Sequence, residues 1–134
     1  MKKADIAESG FAPLYSGGTW LVASNGYKLG VNDKDSLSVM GRHMSTNEAF
    51  ILLAGTAILL TAEKDDTIGK ITAELMVPEK LYIVEKGEWH VAIFDVGASV
   101  LIIEDSHSPA EANMTSSMTA EQIQYGKQLL SDLY

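Results

Sequence analysis

The chain has 134 residues, 46% of them hydrophobic, a size and composition that suit one globular domain with one core. Ten basic and eighteen acidic residues give a net charge of -8, and a surface of that sign repels phosphate backbones and anionic lipids. We therefore expect no nucleic-acid or membrane partner, and the lack of cysteine excludes disulfides, thiolate zinc sites and a cysteine nucleophile.

The N-terminal sequence MKKADIAESGFAPL has two lysines but no apolar stretch of the kind that a signal peptide needs. The longest apolar run, residues 49–60, is interrupted by Gly55 and Thr56 and is shorter than the roughly 20 residues of a membrane-spanning helix. These features predict a cytoplasmic protein.

Short apolar runs separated by turn-forming residues fill most of the chain up to residue 104. The runs are TWLVA, YKLGV, SLSVM, EAFILLA, TAILLTA, ITAELMV, LYIV, HVAIF and SVLIIE. Asn25-Gly26, which follows the first run, is typical of a two-residue hairpin turn. Many short strands with no helix-length pattern between them predict an all-β sandwich or barrel rather than βαβ units.

The end of the chain has a different character. Residues 105–118 are polar and predict a loop, and residues 119–133 predict a helix. Thr119 followed by Gln122 fits a capping box at the start of that helix. A helix this short must pack on the barrel or on a partner chain to be stable. We therefore expect one domain over residues 1–134, with its barrel core at about 14–104.

The strand that begins at Glu48 is apolar on both of its predicted faces. Alternate residues from Glu48 to Leu52 share one face, and those from Ala49 to Leu53 share the other. We expect this strand to be buried on both sides. A buried carboxylate at its start needs a cation, a hydrogen-bond donor or a metal.

Two histidines are placed to meet that carboxylate. The residues STN between His43 and Glu48 favour a turn, so both side chains can point inward from successive strands. His90 starts another strand, after EKGEW. Two histidines and one carboxylate are the ligand types of a divalent-metal site with open positions, and we expect the three to converge at one mouth of the barrel.

These residues carry a resemblance to the cupins. HMSTNEAFILLAG has the histidine, glutamate and glycine spacing of the second half of the first cupin motif, and KGEWH resembles the core of the second. The resemblance covers about residues 39–94 and extends to small single-domain cupins of unassigned function. It implies a double-stranded β-helix, also called a jelly-roll barrel, followed here by a short C-terminal helix. It also implies a homodimer.

The resemblance implies a metal site formed by His43, Glu48 and His90, with Fe, Mn, Ni, Zn or Co as the divalent ion. Gly41 stands where the first motif has another histidine, so one of the four usual ligands is absent. Cupins that lose ligands are often metal-free, and the sequence leaves both states open.

Three further residues are candidates for contact with a small-molecule ligand. Arg42 can bind a ligand carboxylate in bidentate fashion or pair with an acid of the protein. Trp89 can stack on a ring or complete the core, and Phe50 shares the face of Glu48. His107, in a polar loop, is either a replacement metal ligand or solvated.

Three functions are compatible with this sequence. The first is a metal-dependent enzyme, of the dioxygenase, isomerase or lyase class, acting on a small polar metabolite. The second is a non-catalytic, metal-free barrel that binds a small ligand, and the third is an assembly protein that uses its dimer surface. No residue stands out as an additional catalytic acid or base, so the sequence does not decide whether the protein is an enzyme.

Overall fold

Ten β-strands and one α-helix make up the fold in a computed structural model that describes residues 1–134. The strands are β1 (Ala12–Gly17), β2 (Trp20–Gly26), β3 (Val39–His43), β4 (Glu48–Ala54), β5 (Ala57–Ala62), β6 (Ile71–Leu75), β7 (Leu81–Val84), β8 (Trp89–Phe94), β9 (Ser99–Asp105) and β10 (Asn113–Ser117). The helix is α1 (Ala120–Leu133), and single 3-10 turns occupy Lys34–Ser36 and Ala110–Ala112.

The strands form two antiparallel sheets of five. The first sheet has the order β1-β2-β9-β4-β7, and the second has the order β10-β3-β8-β5-β6. From β2 to β5, and again from β6 to β10, each successive strand lies in the other sheet. This alternation is that of a double-stranded β-helix, and the all-β prediction is confirmed.

Two hydrophobic cores lie on the two sides of the second sheet. One core fills the space between the sheets and includes Phe50, Leu59 and Phe94. The other includes Leu60 of β5 and Leu130 of α1, so the helix covers the outer side of that sheet. Neighbouring leucines of β5 therefore enter different cores, and each fully buried leucine contributes roughly 1.5–3 kcal/mol.

Helix α1 begins as the sequence predicts. The Thr119 hydroxyl accepts from the Gln122 backbone N–H, and the Gln122 side chain accepts from the Thr119 N–H. Gly126 within the helix has a packing reason, because a Cβ there would lie 2.6 Å from a methyl group of Leu37. No helix is long and apolar enough to cross a membrane.

Two local predictions near the N-terminus are wrong. The run YKLGV is a loop, in which the Asn32 side chain accepts from Lys28 N–H and donates to the Gly26 carbonyl, so side-chain bonds replace a strand ladder. Asn25-Gly26 ends β2, paired with β9, and makes no hairpin. The β1–β2 hairpin turns at Gly18, which has a φ of +76°.

The polar segment 105–118, predicted as a loop, contains the edge strand β10. Asn113 to Ser117 pair with β3, Asn113 lying opposite His43. Four of its five residues are exposed, so the strand has no buried face and no apolar alternation that would reveal it.

Strand β4 is buried on one face only, contrary to the prediction. Glu48, Phe50 and Leu52 are buried between the sheets, whereas Leu53 is 44% exposed. The outer face of the first sheet has no counterpart of α1, which explains the difference.

Replacing Gly55 by alanine should destabilise the protein more than replacing Gly97. Both glycines have a left-handed φ, which costs an alanine roughly 1–2 kcal/mol. A Cβ on Gly55 would also lie 2.7 Å from Ala98 Cα, whereas one on Gly97 would meet no atom within 4 Å. We expect G97A to lose only the conformational cost and G55A to lose at least ~1 kcal/mol more in urea unfolding. Equal losses would contradict the close approach at Gly55.

Candidate metal centre

A cavity of about 520 Å³ opens between the two sheets, at the end where β3 stops and β4 starts. Its apolar wall includes Phe11, Leu21, Phe50 and Ile102. Its polar wall consists of one acid, from β9, and two amides, from β2 and β10, together with the three predicted metal ligands. These polar residues are Asn25, His43, Glu48, His90, Glu104 and Asn113. The cavity thus has an apolar side and a side rich in donor atoms.

The structure brings His43, Glu48 and His90 together from three strands. His43 ends β3, Glu48 starts β4 and His90 is the second residue of β8. One oxygen of Glu48, Oε2, lies 2.8 Å from His43 Nε2 and 3.0 Å from His90 Nε2. One donor atom from each residue lies within 4.8 Å of the others, a spacing at which a single ion can be held.

Both imidazole rings are oriented through their other nitrogen. His43 Nδ1 is 2.7 Å from the Asn113 side-chain oxygen, and His90 Nδ1 is 3.1 Å from the Glu88 carbonyl. Because both partners are acceptors, they favour a proton on Nδ1 and direct Nε2 of each ring toward Glu48, where Nε2 can donate to the carboxylate when protonated or offer its lone pair to a metal ion. Such orienting hydrogen bonds are typical of metal-binding histidines.

Hydrogen bonding and burial shift the pKa values of the central pair. The hydrogen bond to Glu48 raises the pKa of His43 to about 9, against the opposing effect of burial. Burial raises the pKa of Glu48, but the hydrogen bonds from His43 and His90 outweigh it and lower the value to about 2. Without a metal, Glu48 is therefore a carboxylate and His43 is protonated at neutral pH.

Glu104 also borders this site, although the sequence motifs do not predict it. Its Oε2 lies 3.7 Å from His43 Nε2, is buried, and has no hydrogen-bond partner. Burial and the nearby charge of Glu48 raise its pKa. The pattern that could have revealed it is alternation, since Glu104 follows the buried Val100 and Ile102 on the same face of β9.

Arg42 and Trp89 lie on the other side of the second sheet and do not border the cavity. The Arg42 guanidinium stacks 4.2 Å from the Trp89 ring centroid, and both side chains donate to the Asp65 carbonyl. Each precedes a histidine that faces inward, so strand alternation turns it outward. The geometry therefore favours a structural role over the ligand contact that we expected.

The structure also shows where Phe50 and His107 lie relative to the cavity. Phe50 lines the cavity, its ring centroid 6.0 Å from that of His90. His107 follows β9 in a turn, where its N–H donates to the Asp105 carboxylate, and it is not among the cavity residues.

No protein-family model and no curated protein matches the sequence. The structure is similar to that of a cupin-2 domain protein from Shewanella frigidimarina, with a TM-score of 0.50 and 17% identity over 72% of this chain and 82% of that one. The chain has the cupin fold. It is also similar to Streptomyces PAC13 solved with uridine, with a TM-score of 0.60 and 8% identity over 90% and 94% of the two chains.

A third similar structure is Co(II) HppE in complex with its substrate. The TM-score is 0.51 and the identity 16% over 72% of this chain. The chain spans 52% of HppE and only 33% of CapF, which it matches at a TM-score of 0.56 and 16% identity over 84% of its own length. These likenesses establish the fold and leave the chemistry to the site itself.

The metal-free protein should lose stability as the pH rises from about 6.5 to 9. The folded-state pKa of His43 lies above its ordinary value of 6.5, so this contribution is complete below pH 6.5 and is lost as His43 deprotonates near pH 9. Since the His43 side chain is 25% exposed, screening reduces the loss to about 1–2 kcal/mol. Urea unfolding with chelator present would measure it.

The matched controls for this pH dependence are H43Q and H107Q. The H43Q variant should lack the alkaline decline, and H107Q should keep it. A decline of equal size in wild type and H43Q would mean that the His43–Glu48 pair is not its cause.

Proposed function

We propose that this cupin-fold chain binds one divalent metal through His43, Glu48 and His90, and a small polar molecule in the adjoining cavity. The observation that carries this proposal is the convergence of one donor atom from each of three strands within 4.8 Å at a buried cavity wall. The metal would be Fe, Mn, Ni, Zn or Co, the ions that such a nitrogen and oxygen donor set suits.

The residues present fit such an ion. The orphaned oxygen of Glu104 faces the same histidine as Glu48, so the cavity holds more carboxylate oxygen than its hydrogen-bond donors satisfy. Gly41 lies opposite His90 in the β3–β8 pairing, and its missing side chain leaves room beside the histidines for water or a ligand. When bound, the metal supplies Lewis-acid or oxygen-activating chemistry.

The cavity wall favours an uncharged or cationic ligand over a free anion. No lysine or arginine is among the lining residues, which instead include two carboxylates and two amides. An anionic group would therefore find its main positive partner in the metal or in protonated His43. Asn25 and Asn113 can hydrogen-bond a polar ligand, while Phe50 supplies an apolar surface for its ring or chain. Similarly folded PAC13 is solved with uridine, an uncharged polar molecule.

We propose a metal-dependent enzyme of the dioxygenase, isomerase or lyase class as the first candidate. One observation supports the alternative, a metal-free binding module. The Glu48 carboxylate already accepts from both histidines at 2.8 and 3.0 Å, so the three ligands satisfy one another without an ion. Metal content separates the two functions.

Protein purified without a histidine tag should bind one equivalent of Co(II), Zn(II) or Ni(II) in isothermal titration calorimetry. Replacing His90 by alanine should lower the affinity at least 100-fold, because it removes a ligand from a set of three. The control H107A removes a histidine outside the cavity and should bind as wild type does. Circular dichroism should show both variants folded. Wild-type protein that binds none of these ions would contradict the metal site and favour the alternative.

We also propose a homodimer formed through the outer face of the first sheet. Six large hydrophobic side chains are 39–54% exposed there: Tyr15, Trp20, Leu53, Leu81, Ile83 and Ile103. Side chains of roughly 150–250 Å² exposed to this extent give an apolar area of about 400–700 Å². A standard interface buries about 800 Å² on each partner, so this patch is of the right order.

The face is also free of charge where the strands pair across it. The row Val22, Ile103, Ala49 and Ile83 and the row Ser24, Leu101, Ile51 and Leu81 contain no charged residue. Charged residues lie at the border of the face, where Asp105 pairs with Trp20 and the Lys2 ammonium lies 5.4 Å from the Tyr15 ring centroid, so the centre of the contact is free of like-charge repulsion. The cytoplasmic location and the lack of a nucleic-acid partner stay predictions from composition.

Replacing Ile83 by glutamate should convert the dimer to a monomer in light scattering at micromolar concentration, because it places like charges within the apolar contact. The control V96E adds the same charge at a residue that is 74% exposed in a turn outside the sheet, and it should remain dimeric. A wild-type protein of monomer mass would refute the dimer.

A further inference from the structure

We propose that Glu104 is a fourth protein ligand of the metal, which makes the site a set of two histidines and two carboxylates. This inference rests on the proposed metal site. Gly41 stands where the first cupin motif has a histidine ligand, and Glu104 would take over that ligand's role. Glu104 belongs to the opposite sheet and lies outside both sequence motifs that resemble cupins.

The register of β4 and β9 places two glutamates against each other. Ala49 pairs with Ile103 and Phe50 with Ile102, so one step further along the same register Glu48 lies opposite Glu104. Both face the cavity. Like charges directly opposite on neighbouring strands destabilise a sheet, and more so where water is scarce. A cation between the two carboxylates removes that repulsion.

The hydrogen bonds of the site are divided unequally between the two acids. Glu48 accepts from both histidines, whereas Glu104 Oε2 is buried without any donor. A buried carboxylate oxygen without a partner costs free energy, and neither histidine has a second Nε2 proton to offer it. A metal ion in place of those protons serves all four residues at once.

The distance between Glu104 and His43 suits one coordination sphere, whereas Glu104 lies outside the set of donor atoms that are all within 4.8 Å of one another, so metal binding would draw its carboxylate closer to the other ligands. Two ligands bound at ~2.0–2.2 Å in tetrahedral arrangement lie about 3.4 Å apart. Glu104 Oε2 is 3.7 Å from His43 Nε2, close to that edge. Two carboxylates and two neutral imidazoles also balance the charge of a divalent ion, which the three-ligand set does not.

The test compares wild type with E104Q, using Co(II) as both the metal and the spectroscopic probe. Calorimetry should show a loss of affinity of about 100-fold or more in E104Q, and the visible d–d absorption should change because a ligand is lost. The control D105N alters the adjacent carboxylate of β9, which bonds to His107 N–H and is not among the cavity residues. It should leave affinity and spectrum unchanged.

A second control, N113A, distinguishes a ligand from an orienting partner. Asn113 holds the far nitrogen of His43, so its loss should weaken binding by roughly 10–100-fold while the Co(II) spectrum is retained. An E104Q protein that behaves like N113A, with an unchanged spectrum, would overturn the ligand role of Glu104.

The remaining outcomes are equally decisive. Wild-type affinity in E104Q would overturn this inference and leave the three-residue site intact, whereas no Co(II) binding by wild type would overturn both. Without metal, E104Q should melt at or above the wild-type temperature, because it removes a like charge opposite Glu48. A lower melting temperature, or failure to fold, would show that the carboxylate of Glu104 stabilises the fold itself and would contradict the proposal.

Discussion

The carboxylate of Glu48 is the group on which the mouth of the barrel depends. It is buried at the start of β4, in the first sheet, and it is hydrogen-bonded to His43 of β3 and His90 of β8, in the second. A charge in this position must be paired, so the two sheets are held together there by a polar contact rather than by apolar packing. Asn113 and Glu88 then fix the rings that Glu48 needs.

Much of the architecture could be predicted because buried strands and helices place apolar residues at regular intervals in the sequence. The strands from β4 to β9 coincide with apolar runs, and Thr119 with Gln122 marks the start of α1. This apolar pattern is absent where a strand is not buried. The edge strand β10 is held by main-chain bonds to β3, and its residues NMTSS need no apolar face. The loop after Gly26 is mispredicted for the opposite reason, since its apolar residues Leu29 and Val31 are exposed and the Asn32 side chain holds the backbone at Gly26 and Lys28.

The site was predictable only as far as the motif spacing extends. His43, Glu48 and His90 are brought together as expected, since each lies beside a turn at the same end of the barrel. Glu104 and Asn113 were not predicted, because their proximity to His43 depends on which strands are neighbours. A sequence of apolar runs does not specify that β9 pairs with β4, or β10 with β3. Arg42 and Trp89 are adjacent in sequence to site residues, and for that very reason they face the other way.

The coverage of the two sheets is unequal, and in the proposed dimer this inequality would limit how many copies associate. Helix α1 lies on the second sheet, while the first sheet presents its apolar face to solvent. When two molecules meet through that face around a twofold axis, the exposed apolar patch of each becomes buried in the contact. The opposite side of each molecule is the second sheet with α1 packed on it, so the same face-to-face contact cannot be repeated there. By covering the second sheet, the C-terminal helix would therefore prevent open-ended stacking of molecules and favour a closed dimer over a fibre.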